Sequence, residues 1–422
     1  MKSDNRCFLR RSALVVAIAG ISAPASAAFF QIAENSASGI GNAFAGGAAA
    51  AEDASTVWYN PAAMTRFKRP EFVFAGHFID PSFKATINSA SSILGSPISG
   101  GGGEAGQSAA VPNIYYTHPL SSSFSVGAGI NAPFGLATEY DSTWAGRYHA
   151  IRSDIKTVNV NLAGAYKINE TLSAGVGLNY QKAEAELTQA IDFATICSLA
   201  GQSATCGAGA GFNPNTNPND GKAKITADST AFGYNLGFMA QVQDNFRVGV
   251  AYRSKMKQKL DGTFEPTVPT PAGVAGIATA AVASGAGIVS SGAKADVTLP
   301  STLSVSAHLQ LDSQWALMTD ITRTNWSALP ELRIRFDSSQ KDSVVTLNLI
   351  DTYRYSIGAT YKPNNSWVFR GGVAQDQSPT TSALDRTARL PDSDRTWYTV
   401  GAGLQATPAL SFDFGVAYIK LD

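Results

Sequence analysis

The residues that could carry catalysis are few and lie far apart in the sequence. The histidines fall on different predicted strands and loops, at His77, His118, His149 and His308. The chain has no G-x-S-x-G nucleophile elbow, no phosphate-binding loop, no H-E-x-x-H zinc motif and no paired C-x-x-C. We therefore expect no catalytic residue, no metal and no cofactor. A lipase site that pairs one histidine with a serine is the enzymatic alternative.

The N-terminal residues predict export from the cytoplasm. Several basic residues precede an apolar run at residues 13–21, and an A-x-A cleavage site follows at residues 25–27. This order is that of a secretory signal peptide, which we place at residues 1–27. The apolar run is too short to cross a bilayer, which argues against an uncleaved anchor.

Export also decides how the two cysteines of the mature chain are interpreted. Cys197 and Cys206 lie in a polar region that is rich in glycine and alanine. In an oxidising compartment, a local disulfide between them is favoured over two free thiols. A metal site would need histidine or acidic partners nearby, and the neighbouring sequence offers none. Cys7 precedes the apolar run of the signal, so it is not a lipoprotein acylation site.

The composition favours strands and argues against a nucleic-acid partner. Charged residues make up 15% of the 422 residues, compared with about 25% in typical soluble chains. Glycine is abundant, and aromatic residues reach 10%. Lys and Arg together number 32, as do Asp and Glu, so there is no basic field to hold nucleic acid.

From Pro70 onward the sequence repeats one pattern with a period of two. In residues 410–418 an apolar side chain alternates with a small or polar one, so one face of the strand is apolar and the other is wet. Residues 353–361 show the same alternation. The wet faces carry Gly, Ser, Asn and Thr together with three arginines, Arg253, Arg354 and Arg370. These residues predict a polar lumen instead of a dry core.

The connections between these strands alternate in length. The tight ones are polar and lie at residues 119–123, 167–171, 243–245, 311–314, 362–366 and 405–409. Longer ones lie between them, near residues 80–110, 133–153, 188–224, 265–292, 337–342 and 376–394. Short turns on one side and long loops on the other are typical of an all-β, antiparallel transmembrane β-barrel of the outer membrane. Closure of such a barrel removes the unpaired edge that lipid cannot tolerate.

One long connection contains an apolar run of alanine, valine, isoleucine and glycine at residues 271–290. A transmembrane helix at this position would break the alternation of sides. We therefore predict a helix of small residues, or a hydrophobic lip, over the mouth of the barrel.

The alternation gives about thirteen strands, which assign residues 70–422 to the barrel. Bacterial single-chain barrels have even numbers of strands, so we expect that one last strand is missing. Residues 28–69 do not alternate and are rich in Ala, Gly, Asn and Ser. Their apolar content favours a plug, or hatch, folded inside the barrel over a disordered leader.

Several motifs together resemble the FadL-like family of outer-membrane transporters for long-chain fatty acids, which has relatives for toluene and other aromatic hydrocarbons. The predicted hatch contains A-F-F-Q at residues 28–31, S-G-I-G at 38–41 and N-P-A at 60–62. The predicted barrel contains G-L-A-T-E at 135–139, A-Y-R-S at 251–254, W-V-F-R at 367–370, D-x-S-P at 376–379 and P-D-x-D-R-x-W at 391–397. The resemblance extends from the start of the mature chain to its last residue.

The resemblance implies a barrel of about fourteen strands with an N-terminal hatch. It also implies capture of the ligand at an outer groove between loops, binding in the lumen, and lateral exit where the third strand kinks. Pro133 cannot donate to a strand ladder and Gly135 has no side chain to pack, so with Phe134 they form the predicted lateral gate. On the residues alone, the strand could equally end there. By resemblance, the hatch turn Asn60-Pro61-Ala62 lies against the kink.

The resemblance also implies ligand-binding residues. The basic side chain that holds the fatty carboxylate in the family is matched by Arg333, and we expect Phe30 and Arg335 to bind ligand with it. Alternation with apolar neighbours suggests that Arg333 points into the lumen. A second basic residue of the family pocket is matched by Leu187, so we expect a carboxylate clamp that is either weaker or moved to Lys182. The loss of a basic residue at position 187 favours a neutral substrate, such as an aromatic hydrocarbon, more than the family pattern alone does.

Residues and resemblance together imply passive uptake of hydrophobic molecules, with long-chain fatty acids as the first expectation. We expect a monomer that is surrounded by outer-membrane lipid and lipopolysaccharide. An aromatic-hydrocarbon channel is the alternative in the same class, and an outer-membrane lipase is the alternative from another class. A general porin is disfavoured because a hatch would block water-filled diffusion.

Overall fold

The computed structural model describes residues 29–210, 220–382 and 385–421. The predicted signal peptide at residues 1–27 lies outside the described residues. Helices occur at Ala37–Gly41 (α1), Thr56–Tyr59 (α2), Phe193–Leu199 (α3), Ser203–Cys206 (α4) and Val274–Gly285 (α5), and 3₁₀ turns at Pro61–Arg66, Ala208–Ala210 and Trp326–Ala328. Within the three described ranges, no helix is both long and apolar enough to span a membrane.

Most of the described chain consists of β-strands. In chain order they are Glu71–Ile79 (β1), Lys84–Ala85 (β2), Gly103–Glu104 (β3), Ala109–Pro119 (β4), Phe124–Asn131 (β5), Gly135–Glu139 (β6), Arg152–Lys167 (β7), Leu172–Asp192 (β8), Asp220–Gln243 (β9), Phe246–Arg253 (β10), Met256–Thr267 (β11), Ser291–Leu299 (β12), Thr302–Gln310 (β13), Trp315–Thr324 (β14), Glu331–Phe336 (β15), Ser343–Thr346 (β16), Thr352–Tyr361 (β17), Trp367–Asp376 (β18), Arg395–Thr407 (β19) and Leu410–Leu421 (β20). β2 and β3 form a small hairpin of their own, and the other strands form one 18-stranded sheet.

Over the described residues, this sheet is a barrel wall of thirteen passes. Five passes are each interrupted once, and their halves are β5 with β6, β10 with β11, β12 with β13, β14 with β15, and β16 with β17. Each pass pairs in antiparallel register with the pass that follows it. The expected all-β barrel is confirmed, and its tight turns lie where the alternation predicted them.

The first and last passes, β1 and β20, do not pair with each other in the part of the chain that the structure describes. They run in the same direction, as an odd number of antiparallel passes requires. Helix α1 lies inside the wall near this seam, where it packs against β18, β19 and β20 and touches β1. A further strand after β20 stays a prediction.

Along the longest strands, the apolar face of the wall changes from the outside of the barrel to the inside. In the half of β8 near the short turns, apolar side chains such as Leu178 point outward and amides such as Asn179 are buried inside. In the other half of β8, charged residues such as Glu184 are exposed outside, and Leu187 packs inside the mouth. β7 and β9 show the same change. The wall therefore extends beyond the apolar band, and its outer face there is charged.

Inward-facing arginines of the wall hold the hatch, which lies inside the barrel. Arg247, Arg253 and Arg354 donate hydrogen bonds to hatch carbonyl oxygens at 2.5–2.9 Å. Arg370 forms an ion pair with Glu52 of the hatch at 3.1 Å. Because these arginines come from three strands, β10, β17 and β18, the hatch is attached to the wall on more than one side.

The helices of two long loops cover part of the barrel mouth. A disulfide joins Cys197 of α3 to Cys206 of α4, with a sulfur–sulfur distance of 2.14 Å. α3 and α4 pack against α5, which lies within the run that predicted a small-residue helix. α5 exposes Val274 and Ile277, so the outer surface of the mouth is partly apolar.

Candidate functional site

The interruptions of the wall strands bring apolar side chains together inside the barrel. A buried cluster contains two hatch residues, Phe29 and Phe30, and the wall residues Phe134, Ala231, Met256, Leu299, Trp326, Leu329, Leu347 and Leu349. Except for Ala231, these wall residues lie in or directly beside the five interruptions. We call this cluster the luminal apolar site.

Phe29 and Phe30 occupy much of the luminal apolar site. The centroid of the Trp326 ring system lies 5.1 Å from the centroid of each phenyl ring. The centroids of Phe30 and Phe134 are 5.7 Å apart. Trp326 is fully buried, and Phe29 and Phe30 are nearly so. The chain's own aromatic residues therefore close the site, and a ligand that binds there has to displace them.

A buried polar cluster holds Phe29 in place. The backbone N–H of Phe29 donates to Asp392 Oδ1 at 3.3 Å. The Asp392 carboxylate also binds the Arg395 guanidinium and accepts the Ser378 hydroxyl at 2.7 Å. Phe29 has a φ of +54°, a left-handed conformation that is unfavourable for residues other than glycine. The D-x-D-R motif of the sequence therefore anchors the first described residue of the hatch.

The start of the hatch also pairs with the kink in the third pass. The N–H of Ile32 donates to Pro133 O, and the N–H of Gly135 donates to Phe30 O, both at 2.9 Å. An isolated antiparallel bridge at Phe134 lies between these two bonds. A Cβ on Gly135 would come within 3.0 Å of the Ile32 side chain, which is a tight contact. The kink therefore pairs with the hatch, while Phe134 keeps its hydrogen bonds to Thr157 of β7.

The kink leaves a gap in the wall between the second and third passes. Residues 114–119 of β4 pair with β5, but residues 109–113 of β4 pair with β1 only. β6, which follows the kink, pairs with β7. A single bridge between Gly106 and Thr138 borders the gap at its outer end. Among the described residues, no strand ladder joins β4 to β6, so the wall is open there.

The Asn60-Pro61-Ala62 turn does not lie at this gap, and the predicted contact with the kink is wrong. The turn packs against Gly175 of β8 and Gly237 of β9, where a Cβ would collide with it. Gly175 pairs with Ala165 of β7, eight residues from Thr157, which bonds the kink. At about 3.3 Å per residue, this separation is about 26 Å along the strand. The first residues of the hatch meet the kink instead.

Buried amides line the lumen between the kink and the short turns. The side chain of Asn131 donates to Asn35 of the hatch at 2.9 Å. The network continues across β7, β8 and β9 through Asn159, Asn161, Asn179 and Asn235. An apolar molecule that entered this region would separate buried amides from their partners, which is unfavourable. The axial route out of the luminal apolar site is therefore polar, whereas the gap lies beside Phe134.

Arg333 and Arg335 lie on the outer face of the wall, so the predicted inward direction of Arg333 is wrong. Their neighbours Leu332 and Ile334 pack into apolar clusters inside the barrel. The two arginines instead form ion pairs with Asp296, Glu331 and Asp342. The physical reason is the exchange of faces along the wall, because β15 lies in the part where the outer face is charged.

Lys182 also faces outward, and the prediction that it replaces a luminal base is wrong. Its ammonium pairs with Glu184 at 2.6 Å, and both side chains are exposed. The outward face of β8 is apolar up to Tyr180 and charged from Lys182 onward. Lys182 therefore lies at the border between the lipid-facing band and the charged belt above it.

Sequence reasoning identified Phe30 and Phe134 but missed the rest of the luminal apolar site. Leu299 and Leu329 lie next to prolines that interrupt the alternation, Pro300 and Pro330, and Trp326 lies four residues before Pro330. Because proline cannot donate to a ladder inside a sheet, these prolines were the available signal. Within the described ranges, no three His, Cys, Asp or Glu side chains are grouped as a metal site.

The chain matches one family of known proteins over most of its length. The family model described as "Outer membrane protein transport protein (OMPP1/FadL/TodX)" matches residues 18–422. Outer membrane protein P1 of Haemophilus influenzae is 34% identical over 444 residues, which cover 100% of this chain and 91% of that protein. The long-chain fatty acid transport protein of Escherichia coli K12 is 33% identical over 425 residues, which cover 99% and 93%.

Solved structures share the fold. A FadL homologue from Pseudomonas aeruginosa has a TM-score of 0.81 at 24% identity, covering 93% of this chain and 92% of that one. The toluene transporter TodX of Pseudomonas putida has a TM-score of 0.61 at 16% identity, covering 86% and 87%. These likenesses support the same barrel architecture.

Proposed function

This chain belongs to the OMPP1/FadL/TodX family of outer-membrane transport proteins, and we propose that its substrates are long-chain fatty acids. It is an outer-membrane protein for the uptake of hydrophobic molecules. In the proposed route, the acid binds in the luminal apolar site and leaves sideways through the gap between β4 and β6, with no catalytic step. The observation that carries this proposal is the luminal apolar site, which reaches the gap at Phe134.

The extent of the luminal apolar site suits a lipid chain. Its buried residues are surrounded by further, partly buried apolar side chains: Leu136, Val297, Leu332, Val345 and Leu390. Burying about fourteen methylenes at roughly 0.8 kcal/mol each would favour binding by about 11 kcal/mol. Displacing Phe29 and Phe30 opposes this gain. A lipid chain that is held in this way needs a release step and not only an open pore.

The comparisons favour a fatty acid over an aromatic hydrocarbon. The relative from Escherichia coli, named for long-chain fatty acid transport, is 33% identical over 99% of this chain. TodX, named for toluene, is 16% identical over 86%. A monoaromatic hydrocarbon stays the second candidate because apolar side chains alone would accept either ligand.

The outer surface supports the proposed lipid neighbours. Exposed apolar residues such as Leu178 and Phe232 form a band that suits hydrocarbon. Above it, lysines and carboxylates such as Lys182 and Glu184 form a charged belt at the height of the headgroups. We infer that lipopolysaccharide contacts this belt through its phosphates. A monomer suffices, since one barrel contains the whole proposed route.

The proposal is tested by comparing the binding of oleate and toluene to the refolded full-length protein. We expect saturable oleate binding that weakens at least tenfold in Trp326→Ala, because the indole forms a central part of the luminal apolar site. Trp367→Ala is the control, since Trp367 lies beside a short turn and stacks on Phe369. If the protein binds toluene but not oleate, the substrate is a hydrocarbon and not a fatty acid. If it binds neither ligand, the proposal is refuted.

A further inference from the structure

Arg389 lies in the loop between β18 and β19, beside the luminal apolar site. The next residue, Leu390, packs against that site, and the carbonyl oxygen of Arg389 lies 3.4 Å from the Thr138 hydroxyl at the border of the gap. The Arg389 guanidinium reaches the inner faces of β7 and β8. Arg389 therefore lies between the proposed binding site, the gap and the outer mouth.

All hydrogen-bond acceptors of Arg389 in the described residues are neutral. Its Nη2 donates to Gln189 Oε1 at 2.6 Å, and its Nη1 donates to Ser153 Oγ at 3.1 Å. Two carbonyl oxygens, of Arg152 and Thr188, lie at 3.4 and 3.5 Å, the limit of a hydrogen bond. Within this part of the chain, no carboxylate comes within ion-pair distance of the guanidinium. Its positive charge is not neutralised there.

Other inward-facing arginines have roles in holding the fold. Arg247, Arg253 and Arg354 donate to hatch carbonyl oxygens at short distances. Arg370 and Arg395 form ion pairs with carboxylates. Arg389 differs from the first group because it bonds no hatch residue, and from the second because it has no acidic partner in the described chain. Its two long contacts, with the carbonyl oxygens of Arg152 and Thr188, can be replaced by shorter hydrogen bonds to another acceptor.

Burial of Arg389 is unfavourable without an anion. Removal from water lowers the pKa of the guanidinium to about 10, so Arg389 still carries its charge at neutral pH. A half-buried guanidinium is stabilised more by a carboxylate than by neutral acceptors. A carboxylate can accept two parallel hydrogen bonds from the planar guanidinium. A ligand with one carboxylate and a long apolar tail would satisfy Arg389 and the neighbouring apolar side chains together.

We propose that Arg389 binds the carboxylate of the transported lipid. The inference rests on the proposed function and names the charged contact that this function needs. The lipid tail lies along Leu390 into the luminal apolar site, and the carboxylate replaces the two long carbonyl contacts. Gln189, which Arg389 touches, is two residues beyond Leu187 on β8. Arg389 of the loop thus supplies the basic side chain that the family resemblance implies at the position of Leu187.

The experiment compares oleate with oleyl alcohol, which has the same chain and no negative charge. Dissociation constants are measured for the full-length protein and for Arg389→Gln. We expect oleate binding to weaken about tenfold to a hundredfold, the range for losing hydrogen bonds to a charged group, and alcohol binding to change less than about twofold. Arg386→Gln is the matched control, since Arg386 is an exposed arginine of the same loop. We expect it to leave both ligands unaffected.

The outcomes separate this inference from the proposed function. If the wild-type protein binds neither ligand, the proposed function fails and the inference fails with it. If it binds both, and Arg389→Gln weakens both equally or neither, only the role of Arg389 is overturned. Arg389→Lys keeps the positive charge but lacks the planar guanidinium. It should weaken oleate binding less than Arg389→Gln does and leave the binding of oleyl alcohol unchanged. The heat-modifiable migration of folded barrels verifies that each variant is folded.

Discussion

Leu236 and Thr230 point to the same side of β9, six residues apart, yet their surroundings differ. Leu236 belongs to a row of outward apolar residues that includes Phe232 and Phe238, whereas Thr230 stands between this row and the charged belt that includes Asp228. We predict that Leu236→Arg destabilises the barrel by about 2–4 kcal/mol, because it places a charge near the middle of the lipid. Thr230→Arg should cost about 0–1 kcal/mol, because its charge reaches the headgroups.

The measurement is urea unfolding of both variants in lipid vesicles, with tryptophan fluorescence as the probe. The two substitutions share the introduced residue, the strand and the face, so only the depth in the membrane differs. Equal losses of stability would show that the proposed border between lipid and headgroups on β9 is misplaced.

The same dependence on depth explains why the direction of Arg333 could not be predicted from its neighbours. Alternation shows that Arg333 and Arg335 share one face and that Leu332 and Ile334 share the other. It does not show which of the two faces meets lipid. In the half of β9 near the short turns the apolar face is outside, and in β15 it is inside, because β15 lies beyond the lipid-facing band. Only the position of a strand along the barrel axis decides.

At the scale of strands, the regular elements were predictable and the interruptions were not. The tight turns and the passes follow from local alternation, which each strand carries in its own sequence. The luminal apolar site needs Phe30, Phe134, Met256, Trp326 and Leu347 to meet at one height in the lumen. Whether these residues lie at one height depends on the register between the thirteen passes. The register between distant strands cannot be derived from a single sequence.

The kink between β5 and β6 leads to a prediction about the exit of the ligand. We expect that replacing Pro133 and Gly135 by valine stops the delivery of fatty acid while luminal binding persists. Valine at 133 restores a ladder donor, and valine at 135 adds a branched side chain that crowds Ile32. The measurement is growth on a fatty acid as sole carbon source, together with oleate binding.

The control for the kink variant is Gly76→Val on β1. A Cβ at Gly76 meets nothing within 4 Å, so this substitution adds the same side chain to the wall without changing the gap. We expect normal growth with Gly76→Val. Normal growth of the Pro133 and Gly135 variant, with a wall shown to be sealed, would mean that the lipid leaves by another route.

At the scale of the whole molecule, the barrel combines an apolar route to the side with a polar obstruction along the axis. The obstruction consists of the hatch, the arginines that hold it and the buried amides beneath the kink. Arg354 and Arg370 attach the middle of the hatch to β17 and β18, and Asn131 attaches its start to β5. Phe29 and Phe30 fill the luminal apolar site above these attachments. Phe29 and Phe30 can therefore be displaced while the hatch from Asn35 onward stays in place.

This division of the hatch predicts two different results for two deletions. Removing residues 29–66 should produce a steady ion conductance in planar bilayers, because the inward amides and arginines would then line a water-filled channel. Removing only Phe29 and Phe30 should leave the conductance at the low level of the full-length protein, because the arginine-held part of the hatch still fills the lumen. That shorter deletion should instead change fatty-acid binding. If the full-length protein already conducts as well as the large deletion, its hatch does not close the axis, and the protein works as a general porin.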